Sequence, residues 1–196
     1  MPIVSPKDKM IRTAAKLFQQ GGYAATSWRK LVQQSGAPWG SAQHYFPGGK
    51  EQLGVAAIEL AAQSVAAFIQ QCFSAEGTAV EGVNKLFTAS AARLAKSSFR
   101  EGCPLTTAAL ETVPVSAMMS TACAAAFELW IDALSNGLMR TGIAAKRARN
   151  LATMILSAYE GGLVSARVMQ SVEPLRTSAA MIAEILEKDV SSAKRR

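Results

Sequence analysis

The chain has 196 residues, of which 49% are hydrophobic and 18% charged, and its formal net charge is +7. This length accommodates one large or two small domains with a buried core, and the low charged fraction argues against long disordered stretches except at the ends. No uninterrupted apolar run approaches the ~20 residues that span a bilayer, and the first residues lack the apolar core of a signal peptide. We therefore expect a cytoplasmic protein.

The positive charge is concentrated at one end of the chain. Residues 1–50 hold seven lysines and arginines against a single acidic residue, Asp8. Residues 51–190 are slightly acidic, with 11 basic and 13 acidic side chains. A polyanion such as DNA is the expected partner of the first quarter, and an unevenly charged solvated surface is the alternative.

Several classes of function lack their usual residues. The three cysteines, Cys72, Cys103 and Cys123, are widely spaced, and His44 is the single histidine, so we expect neither a disulfide framework nor a metal site. No acid–base pair, nucleophile system or glycine-rich phosphate loop is apparent, and we expect no enzymatic activity and no cofactor. We expect Cys103, in a Gly-Cys-Pro run, to have a packing or turn role rather than to act as a redox-sensing thiol.

Apolar residues recur with helical spacing, which predicts an all-α chain of about nine helices. Pro6 and Pro38 favour helix starts, Thr26 and Ser27 are good N-cap residues, and glycines mark most of the stops. The predicted helices span residues 6–20, 27–35, 38–45, 50–72, 79–98, 105–112, 115–141, 144–170 and 174–190.

The second and third helices indicate a helix-turn-helix motif. Both are short, both lie in the basic quarter, and Gly36 is in the turn between them. In the third helix Ala42 and Phe46 stand at i and i+4 and are expected to face inward. The outward set is then Trp39, Gly40, Gln43 and His44.

This outward set suits the major groove of DNA. Gln43 can pair with adenine edges, and Gly40 lets the helix approach the bases closely. Ser41 and Tyr45 can reach phosphate oxygens, and Lys50, at a helix N-terminus, can hold a phosphate together with backbone amides.

The aromatic residues of this region have different expected roles. Trp28 lies on the inner stripe of the second helix and is expected in the core. Trp39 is expected to touch thymine methyl groups or the sugar backbone, with His44 as a DNA contact rather than a metal ligand or catalytic base.

Residues 26–53 resemble the TetR family through the run TSWRKLVQQSGAPWGSAQHYFPGGKEQL, and PGGKEQL together with EPLR at 173–176 looks like the LmrA/YxaF-type subgroup. The resemblance implies an all-helical homodimer. Three N-terminal helices would bind a palindromic operator, and the C-terminal helices would form a ligand pocket and the dimer interface.

The resemblance also implies roles for single residues. Thr26 would cap the second helix and touch phosphate, Tyr45 would lie next to the DNA backbone, and Lys50 would bind phosphate. The positions of the recognition helix would be Trp39, Gly40, Ser41, Gln43 and His44. The chain departs from the family pattern where Gln43 replaces a tyrosine, Ala42 a larger apolar residue and Trp39 a frequent lysine, which affects which contacts are made to bases.

The C-terminal part holds a candidate pocket and a candidate interface. Periodicity alone favours core for its methionines and aromatics, whereas the resemblance and the adaptability of methionine favour a pocket. The predicted pocket residues are Phe68, Met118, Met119, Phe127 and Trp130. Small residues and a near-heptad apolar stripe on the last two helices predict a four-helix dimer bundle, although the same stripe suits packing within one chain. The predicted interface residues are Ala158, Gly162, Ser165, Ala166, Leu175, Ala179, Ile182 and Leu186.

The sequence thus predicts three segments: a helix-turn-helix domain at 1–52, a ligand-binding and dimerisation domain at 53–190, and a disordered basic tail at 191–196. The expected function is a ligand-responsive repressor that binds a palindromic operator as a homodimer and is released by a small hydrophobic or aromatic effector. The alternative is a DNA-binding protein without an effector, either architectural or controlled by its abundance.

Overall fold

The computed structural model describes residues 5–73 and 77–193, with side chains through Asp189. In this part of the chain all regular structure is α-helical, and nine helices are present, which confirms the all-α prediction. In chain order they are α1 (Pro6–Gly21), α2 (Trp28–Ser35), α3 (Trp39–Tyr45), α4 (Gly49–Cys72), α5 (Ala79–Lys96), α6 (Pro104–Thr112), α7 (Ala117–Arg140), α8 (Ala145–Met169) and α9 (Glu173–Ala193).

Local capping explains the ends of the first helices. The Ser5 side chain accepts a hydrogen bond from the Asp8 amide at the start of α1, and Pro6 occupies the first turn. α1 stops where Gly22 takes φ +85°, and α2 stops where Gly36 adopts the left-handed conformation at φ +67°.

The last helix is longer than predicted. α9 continues to Ala193, so the first three residues of the predicted tail are helical. The physical reason is local, because the run from Val190 to Ala193 contains neither glycine nor proline to end a helix. Residues 194–196 lie outside the described residues.

Two compact units make up the chain, and their boundaries differ from the predicted domains. The first unit comprises Met1–Gln63 and Cys103–Phe127, and the second comprises Ser64–Gly102 and Glu128–Arg196. α6 and the start of α7 therefore belong with the helix-turn-helix segment, because α6 packs on α1. The core of the first unit is built from Met10, Ala14, Leu17, Phe18, Leu31, Val32, Ala37, Ala42, Phe46, Leu53 and Ala57.

In the second unit α9 packs on both α5 and α8. Phe73 fits between two glycines there: a Cβ added at Gly82 would lie 2.5 Å from its ring, and one added at Gly137 would lie 2.6 Å away. On the surface, Arg147 of α8 makes a two-pronged ion pair with Asp189 of α9. Exposed pairs of this kind contribute little to stability, so the packing of apolar side chains holds the unit together.

Two of the described helices, α4 and α7, are long and apolar enough by length and composition to cross a membrane. Core helices of soluble proteins have the same length and apolar composition, so these two helices are weak evidence for a membrane. Both helices contribute buried residues to the cores, among them Leu53 and Ile69 of α4 and Trp130 and Leu134 of α7.

Candidate nucleic-acid interface

The two sides of α3 differ sharply in burial. Ala42 is 0% exposed and Phe46, which follows the helix, is 2% exposed, as the i, i+4 spacing predicts. Leu31 and Val32 of α2 belong to the same core cluster. The inner side of the α2–α3 pair is therefore fixed by packing, which orients the other side of α3 toward solvent.

The outer side of α3 carries the predicted outward set. Trp39 is 60% exposed, an unusual exposure for an indole ring, and Gly40, Gln43 and His44 are exposed as well. The Gln43 amide nitrogen donates to the Pro47 carbonyl at 3.4 Å, a long bond that leaves the amide available for exchange with a partner.

Two of the residues predicted to reach phosphates, Ser41 and Tyr45 of α3, are half-buried. Ser41 and Tyr45 lie at the edge of the exposed surface, and Tyr45 packs on the core cluster. The rings of His44 and Tyr45 meet edge to face at 5.7 Å. Trp28 also packs against the cluster, as predicted.

The prediction that Thr26 caps α2 is wrong. Ser27 is the N-cap of α2, and its side chain accepts from the Lys30 amide at 3.2 Å. Thr26 is 1% exposed, and its hydroxyl donates to the Gly22 carbonyl at 2.8 Å. The Thr26 hydroxyl is therefore used inside the turn and does not cap α2.

Lys50 lies in the first turn of α4, as predicted, with its ammonium 4.0 Å from the centre of the Tyr23 ring. Burial lowers the pKa of Lys50, and the Glu111 carboxylate partly offsets this effect. Burial, followed by the charge of Glu51, raises the pKa of Tyr23. A cation held over an aromatic ring beside carboxylates is stabilised in place but remains half-exposed.

The basic side chains of the N-terminal segment are accessible. The six exposed ones are Lys7, Lys9, Arg12, Lys16, Arg29 and Lys30. Together with the half-buried Lys50 they belong to the same compact unit as α3, whose exposed side carries polar and aromatic groups. Such a surface attracts phosphates by charge and offers hydrogen-bonding groups to base edges.

The five predicted pocket residues are not gathered in one unit. Met118, Met119 and Phe127 fall in the first unit, whereas Phe68 and Trp130 fall in the second. Their exposures differ as well: Met118 is 52% exposed, whereas Met119 and Trp130 are fully buried in their own cores. A shared helical period does not distinguish a pocket from a core, which is why the sequence could not decide between them.

The second unit holds a pocket of about 200 Å³ that the sequence analysis did not predict. It lies between α5 and α9, and Arg176 is its one charged residue. The signal in the sequence was the run of small residues on α5, which leaves space against a neighbouring helix. The lining residues are Phe87, Thr88, Ala91, Ala92, Ala95, Val172, Arg176 and Ala179.

Most members of the predicted dimer stripe are buried within the single chain, where α8 and α9 pack on each other. A Cβ on Gly162 of α8 would lie 3.0 Å from Leu175 Cδ2 of α9, so the two helices use these residues to pack on each other. Ser165 is exposed and Ala158 is half-buried. The buried members are Gly162, Ala166, Leu175, Ala179, Ile182 and Leu186.

The exposed sides of α8 and α9 carry apolar residues that were not among the predicted interface residues. Val164 is 49% exposed and Val168 is 78% exposed on α8. Met169, at the end of the same helix, is 65% exposed, and Met181 on α9 is 48% exposed.

Cys103 stands at the N-cap of α6, half-buried, and its carbonyl accepts from the Thr107 hydroxyl at 2.5 Å. Burial raises the pKa of the Cys72 and Cys123 thiols, which keeps both in the less reactive protonated form.

Comparison with known protein families accounts for both parts of the chain. Residues 10–62 match the family of bacterial regulatory proteins named tetR, and the match covers most of α1, all of α2 and α3, and the first part of α4. Residues 79–181 match the C-terminal domain of LmrA/YxaF-like transcriptional regulators.

Relatives of known sequence match over almost their full length. The HTH-type transcriptional regulator YxaF of Bacillus subtilis is 32% identical over 93% of this chain and 95% of its own. The HTH-type transcriptional regulator Rv0196 of Mycobacterium tuberculosis is 36% identical over 87% of this chain and 88% of its own.

Solved structures share the fold. A TetR transcriptional regulator from Legionella pneumophila has a TM-score of 0.83 and 26% identity, with 95% of this chain and all of the other covered. A cysteine mutant of the regulator CifR, solved with 26-base-pair double-stranded operator DNA, has a TM-score of 0.73 and 23% identity, with 94% and 98% covered.

Proposed function

The chain belongs to the TetR family of transcriptional regulators, and we propose that it is a ligand-responsive repressor that binds a palindromic operator as a homodimer and is released by a small apolar effector. DNA binding and regulation of transcription follow from the family. The observation that carries the finer proposal is the two-sided α3, whose buried side is fixed by Ala42 and Phe46 and whose outer side is exposed, in a unit that also exposes six basic side chains.

In this proposal α3 enters the major groove. Gln43 contacts an adenine edge, Trp39 packs on a thymine methyl or a sugar, and Gly40 allows the close approach that these contacts require. His44, Ser41 and Tyr45 complete the contacts at the edge of the groove. Lys50 binds a phosphate together with backbone amides at the start of α4.

We place the proposed dimer interface on the exposed sides of α8 and α9, not on the predicted stripe. Val164, Val168 and Met169 of α8, with Met181 of α9, are the large apolar side chains that are exposed there. The corresponding helices of two subunits would form a four-helix bundle that buries these side chains. A two-fold dimer then requires half-sites one helical turn apart, ~34–36 Å, or a multiple of that spacing.

The proposed effector site is the pocket between α5 and α9. It is a cleft of about 200 Å³ that opens to solvent, and Thr88, Ala92, Ala95 and Arg176 of its lining are exposed. Its lining is mainly alanine and phenylalanine, which favours a neutral aromatic effector held by area burial with few hydrogen bonds. The effector lowers operator affinity only if it prefers one conformation of the dimer over the other.

The proposal assigns the chain no catalytic role and a cytoplasmic location, where bacterial DNA is found. Within residues 5–73 and 77–193, no group of three or more His, Cys, Asp or Glu side chains is arranged to hold a metal ion. Neither the repressor nor its effector-free alternative needs a cofactor.

The decisive experiment is selection of genomic DNA fragments by the purified protein. We expect enrichment of a palindromic site with two half-sites, and protection of both in a footprint. Full-affinity protection of a single asymmetric half-site would contradict the homodimer.

Titration of the selected operator complex with neutral aromatic compounds then tests the effector. Because coupling between two sites is reciprocal, operator DNA must weaken effector binding by the same factor by which the effector weakens operator binding. Effector affinity that is equal with and without operator, measured by calorimetry, would favour the DNA-binding protein without an effector.

A further inference from the structure

We propose that Glu111 of α6 is a positioning residue for DNA binding, which holds the turn before α2 so that α3 is presented at a fixed angle. The proposal rests on the operator binding proposed above. Glu111 lies 87 positions from its partner Ala24 in the chain, and both belong to the first compact unit.

The contact between Glu111 and the turn is direct. Its Oε2 accepts a hydrogen bond from the Ala24 amide at 2.6 Å. Its Oε1 lies against the Cα of Gly22, where an added Cβ would collide with it. Gly22 also has φ +85°, which a side chain would strain. Glycine at this position therefore leaves the space that the carboxylate fills.

The turn is held from two sides. From within, the Thr26 hydroxyl donates to the Gly22 carbonyl at 2.8 Å. From α6, Glu111 binds the amide of Ala24 by a charge-assisted bond, which is shorter and stronger than a neutral one. The two bonds leave the backbone before α2 with little freedom to rotate.

A second bond holds the other flank of the motif. Ser116, at the start of α7, donates to Glu51 in the first turn of α4, and Ser116 Oγ also accepts from the Met119 amide at 3.0 Å. The links at Ala24 and Glu51 bracket α2 and α3 along the chain. The segment 103–127 therefore bonds to the chain both before α2 and after α3.

Glu111 is not needed to fold α6 onto α1. Leu105 and Ala108 are buried on the inner side of α6, and Thr112 is buried with its hydroxyl on the Ala108 carbonyl. Glu111 itself is exposed. Removal of the Glu111 carboxylate should therefore leave the packing of α6 on α1 in place and remove only the hydrogen bond to the Ala24 amide.

Charge alone predicts the opposite effect. A carboxylate near a DNA-binding surface repels phosphates, and Glu111 is close enough to Lys50 to raise the pKa of that ammonium. If charge were its whole effect, any neutral residue at this position would strengthen DNA binding. If it positions the turn, a residue without an acceptor oxygen must weaken operator binding.

The test compares Glu111→Ala, Glu111→Gln and the control Glu59→Ala, an exposed carboxylate on α4 of the same unit. Operator affinity is measured by fluorescence anisotropy over a series of salt concentrations. We expect Glu111→Ala to bind the operator roughly tenfold more weakly, whereas Glu111→Gln, whose amide oxygen still accepts from Ala24, and Glu59→Ala stay within about twofold of the parent. Equal or stronger operator binding by Glu111→Ala, or equal losses in Ala and Gln variants, would overturn the proposal.

Exchange of the Ala24 amide, measured by NMR on the unmodified protein, provides a readout that does not require the alanine variant to fold. Slow exchange of this amide that persists in Glu111→Gln supports the proposal that residue 111 holds the turn through Ala24. Exchange as fast as in an open loop contradicts it. Absence of operator binding by the parent would contradict the proposed function instead, so the two failures are distinguishable.

Discussion

Gly162 and Leu175 lie in contact across α8 and α9, close enough that a Cβ on the glycine would come within 3.0 Å of the leucine Cδ2. This contact uses the stripe that would otherwise be available to a second subunit. The large apolar side chains that stay exposed on these two helices are Val164, Val168 and Met169 of α8 and Met181 of α9, and Val168, at 78%, is the most exposed of them.

The first prediction therefore separates folding from assembly. Val168→Glu should give a folded monomer, because the residue is exposed in the single chain but would bury an unpaired charge in the dimer. Ile182→Glu should unfold the chain instead, since Ile182 is 3% exposed. Sedimentation velocity and circular dichroism distinguish the two results.

The matched control for assembly is Val115→Glu, at a valine that is 91% exposed in the first unit. It should leave the dimer intact. A Val168→Glu variant that remains dimeric would place the interface elsewhere.

The second prediction concerns close approach to DNA. A Cβ on Gly40 meets nothing within 4 Å, so Gly40→Ala should stabilise the free protein by about 0.5–1 kcal/mol through helix propensity. The same methyl group would stand between α3 and the groove, and operator affinity should fall. Gly21→Ala, which also meets nothing within 4 Å, is the control and should leave operator affinity unchanged.

The third prediction concerns phosphate binding. Lys50→Ala should weaken binding to all DNA sequences alike and reduce the slope of log affinity against log salt by about one. Lys50→Arg keeps the charge and should keep the slope. An unchanged slope in the alanine variant would mean that Lys50 stays on the Tyr23 ring when DNA binds.

The fourth prediction concerns base recognition. Gln43→Ala should relax the preference at one position of each half-site, at a cost of about 1–3 kcal/mol for the preferred base. The salt dependence should not change, because no phosphate contact is lost. Selection from a randomised operator library measures the preference, and a profile identical to that of the parent would remove Gln43 from the base contacts.

The fifth prediction concerns the pocket of the second unit. Ala95→Phe would fill the space between α5 and α9 and should abolish the response to neutral aromatic compounds while operator binding is retained. Ala67→Phe, at an exposed position of α4, is the control. If Ala95→Phe still releases the operator at the parent's effector concentration, the effector binds elsewhere.

Local chemistry allowed the helices and the orientation of α3 to be predicted from the sequence. Ala42 and Phe46 differ from Trp39 and Gln43 in size and polarity at fixed helical spacing, which decides their sides. Thr26 and Ser27 could not be separated in this way, because both are good caps and the backbone alone determines which one starts α2.

Longer-range features could not be predicted. A heptad stripe such as that of Ile182 and Leu186 serves packing within one chain as well as between two. The hydrogen bond between Glu111 and Ala24 joins residues far apart in the chain, so no local sequence pattern predicts it.

The division of the chain into units has a practical consequence for protein engineering. The DNA-reading part is discontinuous, because α6 and the beginning of α7 belong to it together with residues up to Gln63. A fragment cut after Gln63 would expose the surface of α1 that α6 covers. It would also lose the two hydrogen bonds that flank α2 and α3, from the Ala24 amide to Glu111 and from Ser116 to Glu51. A chimaera that transfers this DNA specificity to another regulator should therefore carry residues 103–127 along with the N-terminal segment.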